Sequence, residues 1–197
     1  AARDGEPFDS STGLPSKAVK AQRARSWFQH AVDYAGRKWP TASPRHRKGI
    51  AEALTTVTVA LSMRTSSRPA DDDLRRALFH WAFAGPTRLA SVPEELRDSI
   101  EWLERTSIPL REVAKPAVAR RALEALAMTL DGRPAASATF ARKRATFHNA
   151  LEYAVELELI ERNPLEVIRF KAPSTSGQVD RRVVANPTQA RALLAAV

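Results

Sequence analysis

SATFARKRATFHNALEYAVELELIERNP, residues 137–164, sets Phe140, Phe147, Leu151, Ala154 and Val155 on one stripe. Apolar positions at this spacing predict an amphipathic helix over about 138–158, and Asn163-Pro164 closes the segment. The opposite face carries Arg142, Thr146, Asn149, Glu152, Tyr153 and Glu156. Three cations in a row, Arg142-Lys143-Arg144, stand near the front. The N-terminal end of a helix dipole is already positive, so cations there are unfavourable unless something offsets them. An anionic partner is the simplest offset. Arg142, Thr146 and Asn149 then form one exposed strip near a DNA groove, since Arg and Asn read base edges bidentately. Glu152 and Glu156 lie further along it and would repel phosphate.

Working outward, the same pattern recurs in shorter segments. A helix is predicted over about 24–38, with Trp27, Ala31, Tyr34 and Ala35 inward and Trp39-Pro40 as its stop. Ser43-Pro44 starts a second, an N-cap residue followed by Pro at the first helical position. Ile50, Leu54, Val57 and Leu61 face its core, and Arg45, Lys48, Glu52, Thr55 and Thr56 point away. A third begins at Asp71-Asp72-Asp73, buries Leu74, Leu78 and Trp81 and stops at Gly85-Pro86. A fourth begins near Pro93 and buries Leu96, Ile100 and Leu103. A fifth begins near Pro116, buries Val118, Leu123, Leu126 and Leu130, and ends at Asp131-Gly132, where Gly suits a left-handed cap. Asn186 and Gln189 form a capping box for a last helix. No segment alternates convincingly as a strand, and only Arg182–Ala185 is readable as a short extended piece. The fold class is therefore all-α, a bundle of five to six short helices. Residues 1–20 read as an extended arm, 21–172 as the helical domain and 173–197 as a linker and the start of a further unit.

The chain has 197 residues, 31 Lys+Arg against 22 Asp+Glu, a net charge of +9 and a pI of about 10.6. Such an excess favours nucleic acid or another anionic surface. It is unevenly spread: residues 41–70 hold five cations and one acid, residues 71–110 five cations and eight acids. A basic side and an acidic side follow. Cysteine is absent, which excludes disulfides and thiolate metal sites and fits a reducing cytoplasm. No apolar run approaches the roughly 20 residues of a membrane span.

Arg45, Arg47 and Lys48 repeat the cationic helix start of the long segment. If both starts face one way, they form a two-pronged basic clamp. Asp71-Asp72-Asp73 is better read as N-capping and dipole pairing than as a metal site, because consecutive acids diverge and no glycine-bearing calcium loop follows. His30, His46, His80 and His148 show no i,i+4 pair and read as surface or packing residues, His46 and His148 adding to the basic face. The tryptophans Trp27, Trp39, Trp81 and Trp102 read mainly as core. No phosphate-binding glycine loop, dinucleotide fingerprint or nucleophile context is present.

From Thr139 to Pro164 the chain resembles the core-binding region of tyrosine recombinases, the phage-type integrases. The pattern is a Thr opening a helix, basic residues in its first turns and an apolar stripe, closed by Ala154, Leu159, Ile160, Asn163 and Pro164. The wider match, to integrases of actinobacterial mobile elements, includes GEPFDSSTGLP at 5–15, Trp39-Pro40, IAEALTTVT, LDGRPAA at 130–136 and VDRRVVANPTQARALLAAV. The resemblance implies a helical core-binding domain on one side of a clamp around duplex DNA. A linker then leads to a catalytic domain that starts at about Val183–Val197. That domain's arginines, histidine and nucleophilic tyrosine have no counterpart here, and Tyr34 and Tyr153 do not match the nucleophile's context. DNA binding carries over and catalysis does not. The implied contacts are Arg45, Arg47, Lys48, Thr139, Arg142, Lys143, Arg144, Thr146 and Asn149, with Lys171, Arg181 and Arg182 tracking DNA along the linker. The expected partner is double-stranded DNA, with no cofactor, metal, membrane or small-molecule substrate, and with self-assembly on DNA in the full-length protein. The competing reading is a helical protein-interaction module with a merely solvated basic face. Its docking element would be the apolar last helix, Leu193, Leu194 and Val197.

Overall fold

Serine caps begin the two helices that organise the molecule. Ser26 accepts from the Gln29 backbone N–H (3.2 Å), and its own N–H donates to the Gln29 side chain (3.1 Å), a complete capping box. Ser43 accepts from His46 N–H (3.3 Å), with Pro44 at the first helical position. The architecture is that of a computed structural model describing residues 25–173 together with 191, 194 and 195. Its α-helices are α1 (Trp27–Lys38), α2 (Pro44–Leu61), α3 (Asp71–Ala77), α4 (Pro86–Leu89), α5 (Glu94–Thr106), α6 (Leu110–Val113), α7 (Pro116–Leu126) and α8 (Ser137–Glu156). A π turn, Leu78–Ala82, continues α3, and a 3-10 turn, Pro164–Glu166, follows α8. The fold is an all-α bundle, and the described residues include no strand. The arm at 1–20, Arg182–Ala185 and most of the last helix lie outside the described residues.

The centre of the bundle is α2, packed against α1, α3, the π turn, α7 and α8. Ile50, Leu54, Val57 and Leu61 are buried as their spacing predicts. Thr55 and Thr58 are buried as well, because α7 and α8 cover a side of α2 that reads as solvent-facing in sequence. Thr58 is satisfied there, accepting the Trp27 indole N–H at 2.9 Å. Trp27 also meets the edge of Phe147 at 5.5 Å, so one side chain joins α1, α2 and α8. Trp27 and Trp102 are core residues, Trp81 packs against the core, and Trp39 is half-buried.

Three expectations need correction. The fifth predicted helix, here α7, ends at Leu126, and Leu130 is 80% exposed. The chain turns back at Thr129, which accepts from Gly132 N–H (3.1 Å) and donates to the Arg133 carbonyl (2.8 Å), so Gly132 (φ +77°) serves that turn rather than a helix cap. Asp71 is not a cap either: the N-cap position is Ala70, with no side-chain bond. Asp71 and Asp73 instead pair with Arg68 (2.5 Å) and Arg76 (3.6 Å) at the dipole's positive end. The helix predicted to stop at Gly85-Pro86 widens into the π turn first, Phe83 N–H reaching back to the Leu78 carbonyl (2.9 Å). Gly85 is obligatory there, since φ is +110° and a Cβ would come within 2.8 Å of the Trp39 ring.

His30 is fully buried, stacked on Tyr153, with Nε2 2.7 Å from the Ala150 carbonyl. Desolvation lowers its pKa from 6.5, and the nearby Arg25 charge lowers it further, against the bond to Ala150. The native state therefore keeps His30 neutral while the unfolded chain takes up a proton below about 6.5. Stability is fully present above that value and falls as pH drops toward the folded pKa. The expected result is a urea midpoint that declines from pH 7.5 to 5.5, with His30→Gln flattening this slope whatever its effect on the absolute midpoint. An unchanged slope in the variant would remove His30 as its source. Burial also pushes the Tyr34 hydroxyl up to about 12, which suits a core residue rather than a nucleophile. Among the described residues no helix is long and apolar enough to cross a membrane.

Candidate nucleic-acid interface

Helices α2 and α8 pack side by side, which brings the two basic segments together. The stem of Arg142 lies over Gly49, 3.9 Å from where a Cβ on that glycine would stand. Between the helices is a hollow of about 350 Å³. Ser43, the N-cap of α2, lines it with Arg45, His46 and Gly49 of α2, and Arg142, Ala145, Thr146 and Asn149 line it from α8. The α8 set is spaced i, i+3, i+4, i+7, one face of a helix. Among the described residues, no carboxylate lines the hollow. It presents two guanidinium groups, an imidazole and a carboxamide, the donors suited to phosphate and base edges.

The other predicted contacts divide by position. Lys143 is only 9% exposed, and its ammonium bonds Glu52 at 2.8 Å. It clasps α8 to α2, its charge paired internally rather than presented to the hollow, because one residue beyond Arg142 the helix has turned it toward α2. The other oxygen of Glu52 stands 3.9 Å from the Arg142 guanidinium, so an anion in the hollow competes with it for Arg142. Thr146 is 7% exposed and donates to the Arg142 carbonyl (3.3 Å), so it floors the hollow instead of projecting from it. Arg47 turns to the other flank of α2, where its Nε donates to the Trp39 carbonyl (2.9 Å) and its guanidinium lies 4.8 Å over the Trp39 ring. Lys48 points to that flank too. Arg144 and Thr139 are half-exposed on α8 but outside the hollow. Lys171 is exposed beyond the 3-10 turn, and Arg181 and Arg182 lie outside the described residues.

Helix α8 starts at Ser137, so Arg142 is its sixth residue, past the first turn where the macrodipole acts. Of the two basic segments, only that of α2 sits at a helix start, with Arg45 its second residue and no acid in its first turn. Asn163-Pro164, which closes the resemblance motif, is structural. Asn163 accepts from Leu165 N–H (3.0 Å) and its amide donates to the His148 carbonyl (3.2 Å) and to Glu152, strapping the 3-10 turn onto α8. The described residues hold no cluster of His, Cys, Asp or Glu able to bind a metal. Sequence reasoning gave His46 a minor part and missed Ser43 and Gly49. Their place beside Arg45, Arg47 and Lys48 at the start of α2 was the available signal. No family model, curated protein or solved structure matches this chain.

Proposed function

We propose that this chain binds duplex DNA as the helical core-binding part of a tyrosine-type site-specific recombinase, acting in the cytoplasm during DNA integration. The observation that carries the reading is the convergence of Arg45 and Arg142 on one hollow with His46 and Asn149, with no carboxylate among its described lining residues. The sequence resemblance supports it, and the net charge of +9 agrees with it. Phosphates would be held by Arg45 and Arg142, with Arg144 and Lys171 on the flanks and Asn149 nearest the base edges. Cutting and joining would belong to residues this chain does not contain, and assembly on paired sites to the full-length protein.

Each phosphate neutralised releases counterions, so log K falls against log salt by about 0.9 per contact. With three or four contacts the expected slope is about −3 in a fluorescence-anisotropy titration between about 50 and 200 mM salt. A flat dependence would sink the proposal. A protein-interaction module remains the second reading, favoured by exposed Met63, Met128 and Leu130 bordering one hollow. It requires partner binding that survives reversal of Arg45 and Arg142.

A further inference from the structure

The other flank of α2 opens on a larger cleft, of about 760 Å³, between the start of α2, the π turn and the segment from α4 to α5. That volume lies within the usual range for small-ligand sites, about 300–1,000 Å³. The cleft joins cations from both halves of the sequence. Arg47 and Lys48 come from the basic stretch, and Arg76 and Arg88 from the stretch with an excess of acids. Among the described residues only one acid, Glu95, lines it, and Arg76 is partly matched by Asp73 at 3.6 Å. Lys48 and Arg88 make no ion pair among the described residues.

Two guanidinium–indole layers face this space. Arg47 lies 4.8 Å over Trp39 and is held there by the Trp39 carbonyl, and Arg88 lies 5.2 Å over Trp81. Gly85 lets the Trp39 ring press against the backbone, which fixes that layer. Trp81 is supplied by the π turn, a widening that re-aims side chains and recurs at functional sites. Flat cationic layers suit a planar ring, and the free edges of the same guanidinium groups suit phosphate. An acidic peptide would use the charge but not the layers. The cleft also lies one helix diameter, about 10–12 Å, from the Arg45–Arg142 hollow, on the same two turns of α2.

We propose that this cleft holds a single unpaired nucleotide, its base on the Arg47–Trp39 and Arg88–Trp81 layers and its phosphate on Lys48 and the two arginines. The site is separate from the duplex hollow and does not rest on it. The nucleotide could come free from solution or as an unpaired residue of a DNA strand; the recognising chemistry is the same.

The test uses the whole chain, deoxyadenosine monophosphate, a labelled single strand of about twelve nucleotides, and mixed-sequence duplex, with Lys48→Ala/Arg88→Ala as the variant. Both positions are exposed, so the variant is expected to fold. Tryptophan quenching by the mononucleotide that saturates and weakens about tenfold in the variant supports the site with a free nucleotide as its source. A tenfold loss seen only with the single strand supports it with a strand as the source. In either case duplex affinity stays within about threefold. Absence of binding by both probes, binding indifferent to the variant, an equal loss on duplex, or tighter capture of a phosphotyrosine peptide would each overturn it. Arg45→Glu/Arg142→Glu, measured alongside, separates the two ideas: if it leaves duplex binding intact, the duplex reading alone fails.

Discussion

Arg45→Glu/Arg142→Glu is expected to lower duplex affinity about a hundredfold at moderate salt and to flatten the salt slope. Each reversal exchanges an attraction to phosphate for a repulsion, and two losses of about 1.4 kcal/mol each make two decades. The pair should act more than additively with neighbouring cations, since the two side chains share one hollow. Arg142 is held near Glu52, so a glutamate there would crowd Glu52 and loosen the Lys143 clasp. Arg142→Gln with Arg45→Gln is the companion variant: it keeps that contact neutral and is still expected to cost about tenfold. Equal affinity for wild type and both variants, with folding unchanged by circular dichroism, would move DNA off this face.

Trp27→Ala is expected to destabilise the fold by about 3–5 kcal/mol, a large share of a domain's net stability. The indole is buried, packs edge-on to Phe147 and is the partner of buried Thr58. Its backbone N–H donates to the Ile108 carbonyl at 2.9 Å, so α1 is tied at this point to the turn before α6 as well. Removing the ring leaves a cavity where three helices meet and strands the Thr58 hydroxyl. Trp27→Phe keeps much of the packing and loses the hydrogen bond, so about 1–2 kcal/mol is expected. Leu130→Ala, at an exposed site, should stay within about 0.5 kcal/mol. Urea denaturation orders the three. A Trp27→Ala midpoint equal to that of Leu130→Ala would mean α1 is not seated on α2.

Much of the helical framework is legible from local chemistry. Ser43-Pro44, Gly85-Pro86 and the apolar stripe of residues 140–155 each specify a boundary or a face by their own backbone and side-chain preferences. Thr55 and Leu130 break the pattern in opposite directions. Thr55 is polar yet buried, because α2 is covered on more than one side; Leu130 is apolar yet exposed, because α7 ends a turn early. Neither outcome is coded in the spacing around the residue itself. The π turn is equally silent in sequence, since Leu74, Leu78 and Trp81 keep an unbroken α-helical spacing through it.

The candidate site shows the same division. A run such as Arg142-Lys143-Arg144 records charge, and charge alone argues for an anionic partner. Which of the three reaches that partner depends on rotation about the helix and on what lies against it. Arg142 faces the hollow, while Lys143 turns one residue further and is neutralised by Glu52. Segment charge misleads in a similar way: Arg76 and Arg88 lie in the stretch richer in acids, yet packing sets them beside Arg47 and Lys48. The sequence by itself determined the all-α class, most of the helix boundaries and the basic character, because these depend on neighbours along the chain. Only the tertiary structure decided which cations share a surface and which are spent on internal pairing, because that depends on contacts between residues about 90 positions apart, such as Glu52 and Lys143.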